Sequence, residues 1–367
     1  INKESAHAYF MIYDRAEDAV TDDFSSSSFF QSLNGSWKFS FSENGKDKPE
    51  GFQNPELNDR NWATIPVPSN WELEGFGIPM YTNVKYLFPK TPPTIECDNP
   101  VGIYRKHFRL PEYWNERETI LHFNSISGAA WVYVNGQKVG LSKVAKSPAE
   151  FDLTKYLKKG ENVLVVAVQR WHDGSYLEDQ DFWRISGIEQ DVYLYSLPKT
   201  TIWDFFLQAT LDDTYTDGMF KADVDLRVFG EKRQSGSVLV EVFDKENKNP
   251  VFTAVKKFSS KDKQLYFNGI ISRARKWSAE TPELYQVLLH LKDATGNTIL
   301  VTGAKVGFRS IEVKDAQLLV NGIPIMVRGV NLHIHNERTG HVPTKETMLQ
   351  DITLMKQNNI NAVRTSH

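Results

Sequence analysis

Between residues 29 and 198 the apolar positions come in short alternating or continuous runs, each closed within a few residues by turn formers. Trp37-Lys38-Phe39-Ser40-Phe41 alternates strictly, while residues 120–123, 130–134 and 163–168 are nearly all apolar. Strict alternation marks a strand with one buried face, and a short continuous run marks a strand covered on both. Asn135-Gly136 stands between Trp131-Val132-Tyr133-Val134 and Lys138-Val139-Gly140. That pair predicts a two-residue type I′ hairpin, because both central residues must accept positive φ. The whole stretch reads as an antiparallel sandwich or barrel, preceded by a loosely specified arm, residues 1–28, that ends in the run Ser25 to Ser28. A second β segment, residues 199–308, repeats the texture in Ala222-Asp223-Val224-Asp225-Leu226-Arg227-Val228 and has the length of an immunoglobulin-like sandwich.

The pattern changes after Arg309. Residues 317–320, the turn Asn321-Gly322 and residues 323–330 predict a strand pair, and the polar stretch 331–342 follows. Thr344 is placed to cap a helix on which Met348, Ile352 and Met355 fall on one face, ending near Asn358-Asn359 before a strand over 360–364. Strand, helix, strand is a parallel βαβ unit. Such a unit cannot cover its own apolar faces, so residues 309–367 are expected to lack their sheet mates and to belong to something longer. The start at Ile1 rather than Met points the same way. The texture is mostly β: an antiparallel sandwich or barrel, an immunoglobulin-like sandwich, then one βαβ unit.

Composition narrows the function classes. A chain of 367 residues exceeds one ordinary core. A net charge of −3 with scattered basic residues argues against a nucleic-acid partner, and no apolar run approaches the length of a bilayer span. The single Cys97 excludes an intrachain disulfide. Seven of the nine Trp lie in the first β segment, at 37, 62, 71, 114, 131, 171 and 183. Their faces suit sandwich cores and, less often, the apolar face of a sugar ring.

His333 and His367 follow the two strands of the βαβ unit, so its geometry brings both imidazoles to one rim, where each can hydrogen-bond a hydroxyl, bind a metal or serve structure alone. His333 and His335, spaced by two, raise zinc, for which no third ligand is in evidence. Glu178, Asp179 and Asp181 put three carboxylates into four positions: a loop for a hard cation or sugar hydroxyls, or a solvated turn. Adjacent carboxylates on one loop do not flank a glycosidic bond, so they are not an acid/base pair.

Taken together, certain stretches resemble the β-galactosidases of glycoside hydrolase family two over nearly the whole chain. They are Leu33-Asn34-Gly35-Ser36-Trp37, Val67-Pro68-Ser69-Asn70-Trp71, Tyr81-Thr82-Asn83-Val84, Glu150-Phe151-Asp152-Leu153, the run Asp173 to Asp181, Val306-Gly307-Phe308-Arg309, Arg328-Gly329-Val330-Asn331 and Asn361 to His367. The resemblance implies a mostly β fold, a jelly-roll sugar-binding domain over 29–198 and an immunoglobulin-like sandwich over 199–308, followed over 309–367 by the first βαβ unit of a (β/α)8 barrel, and a retaining β-galactosidase that is a homo-oligomer using sodium and magnesium. It also implies that Asn83, Asp181, His333 and His367 contact the galactosyl ring, that Arg364 lies near the nucleophile, and that Asp181 binds sodium. The acid/base and nucleophile glutamates are implied to lie beyond His367, so the chain alone is expected to be inactive. Leu332 and Ile334 depart from the family's usual Arg and Glu. The alternatives are a non-catalytic carbohydrate-binding protein and a β-glucuronidase or β-mannosidase relative; the Asp173 to Asp181 run looks like β-galactosidase.

Overall fold

The computed structural model describes residues 1–366 apart from 84, 179, 231–234, 246–248 and 260; His367 lies outside the described residues. Two compact units form: residues 1–5, 31–195 and 328–367 make the first, and residues 6–30 and 196–327 the second.

The first unit is a two-sheet sandwich. Its six-stranded sheet runs Ala63–Val67, Gly35–Ser42, Val101–Arg109, Glu161–Gln169, Ala129–Val134 and Gln137–Ser142. The facing sheet has four strands, in the order Phe30–Ser32, Val192–Leu197, Glu118–Phe123 and Ala149–Asp152. Between them pack Trp37, Phe39, Trp71, Tyr104, Phe123, Phe151, Leu164, Val166 and Leu194. Residues 163–168 are apolar throughout because both faces of that strand are covered: Leu164, Val166 and Val168 point to the main core. Val163, Val165 and Ala167 point to a second cluster under Phe52, Trp62, Trp131 and Tyr133. The buried Arg105 ties this cover down, donating from Nε to Asp59 at 3.0 Å and from its other nitrogens to the carbonyls of Phe52, Asn54 and Pro55. Asn135 and Gly136 take φ of 50° and 85° and join Val134 to Gln137, the type I′ hairpin expected from the sequence. Trp37, Trp71 and Trp114 are core residues, whereas Trp183 is 42% exposed.

The second unit pairs a three-stranded sheet, Thr200–Leu211, Gly218–Val228 and Gln264–Ile271, with a four-stranded one. The latter runs Phe252–Phe258, Gly236–Asp244, Tyr285–Asp293 and Thr298–Val306. Phe220, Ala222, Val224 and Leu226 alternate inward, as their spacing requires. The first 28 residues are held rather than loose. Ile1 exchanges backbone hydrogen bonds with Leu141 in the first unit. In the second, Tyr13 exchanges a pair of 2.8 Å bonds with Val301 on the sheet edge, with Met11, Ile12 and Tyr13 buried. An edge strand's open N–H and C=O groups recruit such a partner.

The βαβ unit is present, with one difference from the sequence reading. Residues 323–330 are not one strand: Ile323–Pro324 closes the hairpin with Gln317–Val320, the chain then leaves the sheet, and Gly329–Leu332 begins the parallel pair. The pairing ends one residue later, where the Ile325 N–H donates to the Leu318 carbonyl at 3.0 Å. Gly329–Leu332 pairs in parallel with Ala362–Thr365, and the helix Lys345–Gln357 lies between them in sequence, Thr344 Oγ1 accepting from the Thr347 N–H at 3.2 Å. Met348 and Ile352 of the expected apolar face are exposed, and Met355 is half-buried.

Candidate functional site

A cleft of about 350 Å³ opens in the first unit where a two-stranded ribbon of the sandwich meets the loop after the first parallel strand. The ribbon is Met80–Thr82 against Phe182–Arg184, in antiparallel register Thr82 to Phe182 and Tyr81 to Trp183. That register carries Asn83 and Asp181, one residue beyond each strand, to the same end. Tyr81 and Trp183, directly opposite, share a face, their rings 5.6 Å apart edge to face. The Tyr81 hydroxyl donates to the Asp181 carboxylate, which fixes both side chains at the lip. The other wall carries His333, Ile334, His335 and His341 with Thr365 and Ser366 from the end of the second parallel strand. The chain bends at Ile334, where the His335 N–H donates to the His333 carbonyl at 2.9 Å, and the His335 ring lies nearly parallel to the Trp183 indole. Burial, with the neighbouring His341, His333 and Lys146, pulls the His335 imidazole below its usual range.

The sequence-predicted residues separate. Asp181 and His333 line this cleft together. Asn83 is exposed on the loop after Thr82 and is not among the lining residues. Arg364 is also exposed and outside the lining, its Nη1 3.5 Å from Asn331 Oδ1. His367 falls outside the described residues, although Ser366 beside it is buried. The acidic run is not one site. Asp173 pairs with Lys143 at 2.7 Å, Glu178 accepts from the Ala145 N–H at 2.9 Å, and Asp181 turns to Tyr81; Asp179 lies outside the described residues. His172 opens this segment, its Nδ1 accepting from the Gly174 N–H at 3.1 Å while burial keeps the imidazole below its usual range. No group of three or more His, Cys, Asp or Glu among the described residues is placed to hold a metal.

Beneath the cleft lies a buried polar network that sequence reasoning missed. Glu189, 1% exposed, accepts from Lys146 Nζ at 2.7 and 2.9 Å, from Asn70 Nδ2 at 3.0 Å and from Ser125 Oγ at 3.3 Å. His341, also buried, has Nδ1 2.8 Å from the same carboxylate and 2.6 Å from Lys146 Nζ, and its backbone N–H donates to Asn70 Oδ1 at 2.9 Å. Burial pushes the Glu189 carboxyl up, but the Lys146 ammonium against it prevails, and the carboxyl is held at about 2. Gly340 permits the close approach. Its φ is +64°, and a Cβ there would come within 2.7 Å of Asn70 Oδ1, Ile185 Cδ1 and Leu73 Cδ1. The motif containing Asn70-Trp71 and the Gly340-His341 pair were the visible signals, but neither points to the other.

Comparison with known proteins agrees with this architecture. Residues 30–198 match the description "Glycosyl hydrolases family 2, sugar binding domain", residues 200–309 "Glycosyl hydrolases family 2", and residues 311–367 "Glycosyl hydrolases family 2, TIM barrel domain". A β-galactosidase of Priestia megaterium is 42% identical over 379 residues, covering 100% of this chain and 36% of that protein. A β-galactosidase of Photobacterium profundum is 42% identical over 344 residues, covering 92% of this chain and 33% of that protein. The chain thus spans about a third of the length of these curated relatives. Among solved structures, a β-glucuronidase of Bacteroides uniformis superposes with a TM-score of 0.77 at 22% identity, over 92% of this chain and 39% of that one. A β-glucuronidase of Bifidobacterium dentium superposes with a TM-score of 0.75 at 21% identity, over 93% and 58%. At that identity the likeness is one of fold. Three successive matches to one family, in order and over nearly all of the sequence, show that the chain belongs to glycosyl hydrolase family 2.

Proposed function

We propose that this chain supplies the sandwich-side wall of the glycone site of a retaining β-galactosidase. One observation carries the reading: Asp181 and His333, 152 positions apart by their numbering, meet in one cleft with the exposed faces of Tyr81 and Trp183. A carboxylate accepts from sugar hydroxyls, an imidazole either donates or accepts, and an indole face takes the C–H face of a pyranose. These contacts orient the ring; they speed reaction only where they strengthen at the transition state.

Retaining hydrolysis needs one carboxylic acid to protonate the leaving oxygen and a second carboxylate, about 5 Å away, to attack the anomeric carbon. The carboxylates around this cleft are committed otherwise, Glu189 to Lys146 and Asp181 to the Tyr81 hydroxyl. Both catalytic glutamates belong, in this reading, to the part of the barrel beyond this sequence, as do the magnesium ligands. Asp181 is the residue of this chain that would face sodium. A neutral galactoside suits the cleft better than a glucuronide, because its lining ammonium, Lys146, is already paired with Glu189.

Calorimetric titration of the purified chain with galactose and lactose, alongside an assay on an aryl β-galactoside, tests the proposal. Binding at millimolar concentration without turnover is expected. Turnover by this chain that survives Asp181→Asn and Glu178→Gln contradicts the division of labour, and absence of heat with either sugar removes the glycone wall. Binding of both sugars with no loss on Asp181→Asn favours a carbohydrate-binding role at another place.

A further inference from the structure

We propose that His341 is a further ligand-contacting residue of this cleft, its Nε2 presented to a sugar hydroxyl by the Lys146–Glu189 pair beneath it. The inference rests on the glycone-wall reading and deepens it. His341 is 4% exposed and lines the cleft, its ring centroid 5.6 Å from that of Phe182 and 5.8 Å from that of His335. Its Nδ1 side is fully engaged. Lys146 Nζ lies 2.7 and 2.9 Å from the two Glu189 oxygens and 2.6 Å from Nδ1, so the ammonium's three protons have three acceptors.

This arrangement selects a tautomer. A proton on Nδ1 would suit the 2.8 Å approach to Glu189 Oε1, but it would face the ammonium across the 2.6 Å contact, the shortest of the cluster, and Glu189 already accepts from that ammonium at both oxygens. With Nδ1 bare, Lys146 bridges the imidazole and the carboxylate, and the ring proton sits on Nε2. Nε2 has no protein partner among the described residues. A nearly buried N–H without a partner is costly unless a ligand or water takes it, and the cleft is the space the ring borders. A hydroxyl oxygen of a bound pyranoside is the acceptor this donor fits. Asn70 Oδ1, accepting from the His341 backbone N–H, and Gly340, whose missing Cβ allows that approach, fix the ring's position.

The test is an imidazole nitrogen spectrum of the ¹⁵N-histidine-labelled chain, titrated with methyl β-D-galactopyranoside, with binding of the sugar measured for wild type, His341→Phe and His341→Gln. The expected results are a bare Nδ1 and a protonated Nε2 on His341, an Nε2 signal that moves on saturation, and affinity about five- to tenfold weaker in His341→Phe. His341→Gln, whose amide N–H can replace the donor, is expected to recover most of the loss. A purely structural role moves stability in both variants and leaves the Nε2 signal where it was. Sugar-induced changes at His333 or Trp183 with none at His341, or a proton found on Nδ1, overturn the inference while the glycone reading stands. No change at any cleft residue overturns both.

Discussion

Glu189→Gln removes the charge at the centre of the buried network and keeps the shape. In the folded chain the Glu189 carboxyl is held at about 2, against 4.5 for the free side chain. Since each factor of ten in proton affinity is about 1.4 kcal/mol, ionised Glu189 favours folding of the first unit by roughly 3 kcal/mol. The folded value is the depressed one, so this contribution is fully present above 4.5 and is lost as pH falls toward 2. The variant also strips Lys146 of its counter-charge, since its ammonium donates hydrogen bonds to both oxygens of this carboxylate; breaking a buried pair from one side costs about 3–5 kcal/mol. Urea unfolding followed by tryptophan fluorescence, in which the core Trp37 and Trp71 report on this unit, is expected to place the variant about 3–5 kcal/mol below wild type at pH 7. The gap should narrow steadily between pH 4.5 and pH 3. A deficit under 1 kcal/mol at pH 7, or one that does not shrink on acidification, refutes the reasoning: Glu189 would then be no more favourably placed folded than unfolded.

Glu72 behaves with the opposite sign. Burial raises its carboxyl to about 7, with Arg170 at 3.4 Å only partly compensating. The folded state therefore holds its proton longer than the unfolded state, and wild-type stability falls as pH rises from 4.5 through 7. Glu72→Gln should flatten that slope, gaining about 3 kcal/mol on wild type between pH 4.5 and pH 7.5 in urea titrations; parallel pH profiles sink the assignment. Gly340→Ala places a methyl within 2.7 Å of Asn70 Oδ1 at φ +64°. It should cost about 1–3 kcal/mol and weaken methyl β-galactoside binding at least fivefold by shifting His341. An unchanged affinity would show that the loop's seat on Asn70 does not set the cleft.

Most of the architecture was legible because its signals are local. Strict alternation marked Gly35–Ser42 and Gly218–Val228, the Asn-Gly pairs fixed two hairpins, and Thr344 announced its helix. The misread stretch, 323–330, is apolar without alternation, and nothing in its pattern shows where the hairpin ends and the parallel strand begins. The packed arm was illegible for a related reason: Tyr13 is held by a strand almost 290 positions away, so its own neighbours say nothing of its pairing.

The site divides along the same line. Asp181 and His333 stood out because each sits in a recognisable run, and both line the cleft. Asn83 and Arg364 stood out equally, yet they lie outside its lining, because sequence position brings a residue to a rim without deciding which way it is used. Lys146 and Glu189 carried no signal, and His341 only the glycine before it. Each is an ordinary polar residue outside the strands, and what distinguishes them is their placing beside one another across separations of 43, 152 and 195 positions. A buried carboxylate is tolerated only where its partners are already in place. Glu189 therefore depends on the loop that carries His341 closing over it, and that loop also carries His333 and His335. The electrostatic demand of one buried acid in the sandwich thus fixes the position of the histidine wall of the cleft.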